Sequence, residues 1–188
     1  MSLQAQVSLS WRSLFDSPLK LWKKYGSKAL GGKLIHEGGV EHLIRNQDQD
    51  GSWHGRRGAN YIYETFLALR GLRAAGEDDR EAHMLRAGEW LRSIQNADGG
   101  WGESCSSDDN DSFVPAESTA SQTAWAILGL LASGDSRTLS VVQGVEYLRK
   151  TRRDDGSWDE ELATGEGFPL LALTAFQKAR GTGLGEGA

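Results

Sequence analysis

The sequence predicts an all-α fold of two concentric layers of antiparallel helices, and three observations carry that expectation. A fifteen-residue pattern recurs three times, from Gly39 to Trp53, from Ala87 to Trp101 and from Gly144 to Trp158. Its tryptophans lie 48 and then 57 residues apart, a spacing that accommodates two helices and their loops per repeat. Between the copies apolar residues recur at helical steps, and nothing alternates at period two over a useful length, so strands should be minimal.

Residues 1–36 form a basic arm, in which Arg12, Lys20, Lys23, Lys24, Lys28 and Lys33 stand against Asp16. Ser17-Pro18 supplies a cap and first position for a helix. Leu19, Trp22, Ala29 and Leu30 share one sector of that helix, opposite Lys20, Lys24 and Lys28. The main domain is expected over residues 37–180, and the glycine-rich residues 181–188 form a flexible tail.

Each copy of the pattern reads as a helix end broken by an Asp-Gly step, because glycine accepts the backbone conformation of a sharp turn. Gln47, Gly51 and Trp53 are the expected anchors of the first copy, and Gln95, Gly99 and Trp101 those of the second. The third has Gly156 and Trp158, with Arg152 where the others have glutamine. A glutamine six residues before a tryptophan can lie on the indole while its amide reaches orphan backbone groups at neighbouring helix ends. The pattern is therefore a clip between helices, not a reactive centre, and Arg152 should loosen the third clip. Before the second break, Met84, Ala87, Leu91 and Ile94 fall on one helix face.

Asn60 is the expected N-cap of a helix from Tyr61 to Ala75, with Gly76 just past its end. Ser118 or Thr119 starts another, through Trp125 to Leu131, stopped by Gly134. Both stretches are apolar on more than one face and belong to the inner layer, whereas the amphipathic clip-bearing segments lie outside.

Composition narrows the function. The chain has 188 residues, 38% of them hydrophobic and 25% charged, as in a globular protein. No apolar run approaches the roughly 18 residues of a spanning helix. No basic, apolar leader is seen at Met1 to Gln6, and the lone Cys105 excludes an internal disulfide, so a reducing, cytoplasmic location is expected. The net charge of −5 conceals +5 on the arm and −10 on the rest, and an acidic body argues against nucleic acid.

Several motifs stand in order around the clips: Tyr61-Ile62-Tyr63 after Gly58-Ala59-Asn60, Gly99-Gly100-Trp101-Gly102-Glu103-Ser104-Cys105, Ser121-Gln122-Thr123-Ala124-Trp125, and Trp158-Asp159-Glu160 through Thr164-Gly165-Glu166-Gly167-Phe168-Pro169. With the clips, which are similar to the QW motif, they resemble the C-terminal part of squalene-hopene and oxidosqualene cyclases over residues 39–169. The resemblance implies an α-α barrel (toroid) of the terpenoid cyclase/prenyltransferase type, here partial. It also implies a substrate, squalene or another isoprenoid lipid, isomerised in a dry cavity by a protonated carboxylic acid and steered by aromatic faces.

The family's acid motif, Asp-x-Asp-Asp, is absent. Asp108-Asp109-Asn110-Asp111 comes nearest and reads as a solvated loop, and Ser112 spoils a metal-binding Asp-Asp-x-x-Asp. No catalytic residue, metal site or cofactor is expected. The resemblance places Tyr63 and Phe168 on the cavity wall, with core packing as the other reading. Arg57 stands where the family has an aromatic, and Leu170-Leu171-Ala172-Leu173 replaces an aromatic-rich segment. Cys105 reads as a plain thiol, because Gln122 takes the place of the zinc-binding histidine of prenyltransferases, and His36, His42, His54 and His83 are scattered.

The expectation is a C-terminal domain of a squalene-hopene-type class II cyclase, inactive alone. The alternative is a non-catalytic helical scaffold or isoprenoid-binding module. Ile62, Phe66, Leu69, Leu72, Trp125, Ile127, Leu128 and Leu131 should leave an open apolar side, covered by a second copy, the arm or an N-terminal half. The arm either folds back on the acidic body or rests on an anionic membrane surface.

Overall fold

The computed structural model describes residues 31–55, 61–159 and 167–181. The chain divides into two units, Met1–His42 and Leu43–Ala188, and helix α1 (Gly31–Arg45) runs across the division and across the expected domain boundary after residue 36. In the second unit follow α2 (Tyr61–Ala75), α3 (Ala82–Ser93), β1 (Trp101–Glu103), β2 (Pro115–Thr119), α4 (Ala120–Ala132), α5 (Leu139–Lys150) and α6 (Phe168–Gly181).

Helix α4 is the hub. It has no charged residue, and only Gln122, Trp125, Leu131 and Ala132 are not fully buried. It packs between α2 and α6, while α3 lies against α2 and α4, and α5 against α4 and α6. These are the two layers. Each outer helix buries a single stripe, Met84, Ala87 and Leu91 on α3 and Val141, Val145 and Leu148 on α5, as an amphipathic period requires. Trp101 is the wedge between layers: a Cβ at Gly144 of α5 would lie 2.6 Å from its ring.

Most of the expected open side is closed within the chain. Ile62, Phe66, Leu69, Leu72, Ile127 and Leu128 are buried and only Trp125 and Leu131 are half-buried. The physical reason is the packing of α2, α4 and α6 flank to flank, with α3 and α5 behind them. Apolar exposure among the described residues is scattered, at Ile44, Leu67, Leu85, Leu139, Val142 and Leu170.

Helix ends follow their local chemistry. Thr119 caps α4, its hydroxyl accepting from the Gln122 N–H at 3.2 Å. Gly76 and Gly134, in the left-handed conformation, follow α2 and α4. Asn60 lies outside the described residues, and the cap of α2 that is seen comes from elsewhere. The buried Glu103 carboxylate accepts from the Tyr61 N–H through Oε1 and the Ile62 N–H through Oε2, both at 3.1 Å. A negative charge there suits the positive end of the helix dipole. Gln122 in turn holds the Glu103 backbone, accepting from its N–H at 2.7 Å and donating to its carbonyl at 3.1 Å. Antiparallel strands β1 and β2 thus tie the starts of α2 and α4 together, pairing Trp101 with Thr119 and Glu103 with Pro115.

Candidate functional site

The clips share one geometry. In each, the tryptophan Nε1–H donates to the carbonyl ten residues earlier: Trp53 to Leu43 at 2.8 Å, Trp101 to Leu91 at 2.7 Å and Trp158 to Leu148 at 2.8 Å. Those carbonyls lie in the last turns of α1, α3 and α5, where helix acceptors lack intrahelical partners. Gly51, Gly99 and Gly156 hold φ of +100°, +88° and +89°, so a side chain there would strain each turn. Asp50, Asp98 and Asp155 accept from the backbone N–H two residues on.

Glutamine spans the clip and leaves it. The Gln47 amide donates to the Gly51 carbonyl at 2.9 Å and to the His83 carbonyl at 2.8 Å, and that of Gln95 to Gly99 at 2.8 Å and Ser140 at 2.9 Å. The expected reach to a neighbouring helix exists, but it ends on a carbonyl of the first turn of α3 or α5, not on an orphan N–H. Among the described residues Arg152 supplies only the first of these bonds, Nε to the Gly156 carbonyl at 3.1 Å, with its guanidinium 5.7 Å over the Trp158 ring. Trp101 is fully buried, Trp53 is 5% exposed and Trp158 9%. Thr65 and Thr123 accept from the Trp53 and Trp101 backbone N–H groups at 2.9 and 3.0 Å. Sequence reasoning missed both, because the threonines stand 12 and 22 residues after their tryptophans.

A second constellation belongs to the inner layer. Tyr63 of α2 and Phe168 of α6 meet through Trp125 of α4: the Tyr63–Trp125 centroids are 4.8 Å apart at 60°, the Trp125–Phe168 centroids 5.7 Å at 83°. Phe66 lies edge-on to Phe168 at 6.0 Å. Such edge-to-face contacts add to the burial of each ring. Phe168 is buried, whereas Tyr63 and Trp125 are half-buried. The Trp125 Nε1–H is buried and has no acceptor among the described residues. Burial, and then the nearby Glu64 charge, raise the Tyr63 hydroxyl above its usual range, and burial raises the Glu64 carboxyl. Trp125 and Phe66 were absent from the sequence-derived wall, although Trp125 closes one of its motifs.

Elsewhere the chemistry is sparse. Asp108, Asp109 and Asp111 are exposed beside the exposed Cys105. No three His, Cys, Asp or Glu side chains converge to hold a metal among the described residues. Nor is any described helix long and apolar enough to cross a membrane. Arg57 lies outside the described residues.

Comparison with known proteins agrees with these motifs. Residues 19–180 match the squalene-hopene cyclase C-terminal domain. The chain is 44% identical over 134 residues to a squalene-hopene cyclase of Zymomonas mobilis, covering 70% of this chain and 20% of the relative. It is 47% identical over 141 residues to a probable squalene-hopene cyclase of Sinorhizobium fredii, covering 74% and 22%. A dammaradiene synthase of Dryopteris crassirhizoma is 44% identical over 148 residues, covering 70% and 22%. The chain thus spans about a fifth of the length of these relatives. With its helical layers and repeated clips, the chain belongs to the squalene-hopene cyclase C-terminal domain family, whose fold is of the α-α barrel type.

Proposed function

We propose that this chain forms part of the cavity wall of a class II triterpene cyclase acting on squalene or a related isoprenoid. The observation that carries this is the meeting of Tyr63, Trp125 and Phe168, one ring from each inner helix. Ring faces attract a cation most strongly where water is excluded. The reaction is an isomerisation: an acid adds a proton to one end of the polyene, double bonds close rings in turn, and the last cation returns a proton.

The acid comes from another polypeptide segment, because the sequence has no Asp-x-Asp-Asp and general acid catalysis needs a positioned donor. The span of about a fifth of the relatives supports this division of labour. A hydrocarbon substrate favours a peripheral position at the cytoplasmic membrane surface.

The test is incubation with squalene, of the chain alone and mixed with an Asp-x-Asp-Asp-bearing segment of a relative, followed by product analysis. A cyclic triterpene is expected only from the mixture, and much less of it when Trp125→Ala is used. Product from the chain alone, above a heat-killed control, would falsify the division of labour. Unchanged yield from the Trp125→Ala mixture overturns the role of the rings.

A further inference from the structure

The face of the inner layer that carries the aromatic rings continues past them. On α4, Trp125 is followed at helical steps by Leu128 and Leu131; on α6, Phe168 is followed by Leu171 and Ala175; on α2, Phe66 is followed by Arg70 and Arg73. The later members of these three rows line one groove of about 370 Å³. Its floor is apolar, because α4 has no charged residue and α6 contributes only Leu171 and Ala175.

The charge of the groove is one-sided. No carboxylate lines it among the described residues, and both of its cations stand on α2. Arg73 has local partners: its Nη1 donates to the Glu77 carbonyl at 3.4 Å, and its Nη2 lies 3.8 Å from Asp79. Arg70 has neither an ion pair nor a hydrogen bond among the described residues, only a cation–π contact, with its guanidinium 5.9 Å over the Phe66 ring. Partial burial holds that guanidinium below the usual arginine range. A partly desolvated cation gains a charge-assisted hydrogen bond from an oxyanion, bidentate where the geometry allows.

We propose that this groove binds a single-chain amphiphile, an acyl or isoprenoid chain ending in a phosphate or carboxylate, with the head on Arg70 and the chain along Leu128, Leu131 and Leu171. Size favours a chain over a packed helix. One helical turn of about 5 Å radius and 5.4 Å pitch occupies about 420 Å³, more than the groove offers, whereas small-molecule pockets begin at about 300 Å³. The basic arm carries the same sign of charge as Arg70 and Arg73, so charge disfavours it as the occupant. The ligand is held and not converted, so the inference stands apart from the ring chemistry and its test needs no squalene.

The probe is decyl phosphate, kept below its micelle concentration and titrated into the full chain labelled with nitrogen-15. Decanol and inorganic phosphate are the controls for chain and head alone. Decyl phosphate is expected to shift the Leu131 and Ala175 amides saturably, at least about tenfold more tightly than either control. Arg70→Gln should weaken it about tenfold, with circular dichroism confirming that the variant is folded. Sedimentation with phosphatidylglycerol vesicles tests a membrane as the source of the same head group. The proposal is overturned by the absence of a saturable shift at these amides, whether or not the chain sediments with vesicles. Equal affinities for decyl phosphate and decanol, or an Arg70→Gln affinity equal to wild type, overturn it as well.

Discussion

Replacing Trp101 by alanine tests the clip as a structural device. The indole is fully buried, and truncating such an aromatic costs about 3–5 kcal/mol. The Leu91 carbonyl would also lose its 2.7 Å donor at the end of α3, and an unsatisfied buried acceptor costs about 1–3 kcal/mol. These contributions overlap, so a loss of about 5 kcal/mol is expected, against a total of about 5–15 kcal/mol for a domain. Urea unfolding followed by circular dichroism reads the effect. At about 2 kcal/mol per molar urea the midpoint falls by about 2–3 M. Trp101→Phe keeps most of the apolar area and loses only the N–H and one ring, so it should fall by about 2 kcal/mol. It supplies the measurement where the alanine protein is too unstable to purify. A Trp101→Ala midpoint within about 0.3 M of wild type refutes the anchoring role.

Gly144→Ala should destabilise by about 1–3 kcal/mol, because the new methyl meets the Trp101 ring at 2.6 Å and Ile127 at 3.1 Å. In the Trp101→Phe background most of that cost should disappear, and urea midpoints that simply add would contradict the wedge. Glu64→Gln should raise stability at neutral pH. Burial raises the Glu64 carboxyl in the folded chain, so the folded state holds that proton more tightly than the unfolded state. Its favourable contribution is full below the ordinary carboxylate range and lost as pH rises through the raised folded value. The gap between variant and wild type should therefore close on acidification, and a gap constant with pH would show that Glu64 is not shielded.

What was legible in the sequence was local. Gly51, Gly99 and Gly156 with their aspartates write the same turn three times, and the tryptophan bond spans only ten residues, so one repeat carries the whole turn. The helices from Tyr61 to Ala75 and Thr119 onward, their closing glycines and their place in the inner layer were likewise written in periodicity, and the start of the second in its Thr119 cap. The family followed from the motif order.

Only the tertiary structure decided what those pieces meet. Glu103 caps α2 from 41 and 42 residues away, a partner that no spacing rule proposes. Trp125 joins Tyr63 and Phe168 because α4 packs between α2 and α6. The apolar side expected to lie open closed for the same reason. Local hydrogen bonds and dihedral preferences depend on neighbours along the chain, and the sequence states those directly. Which faces of distant helices touch depends on the joint packing of all of them, and residue order expresses that only through the folded whole.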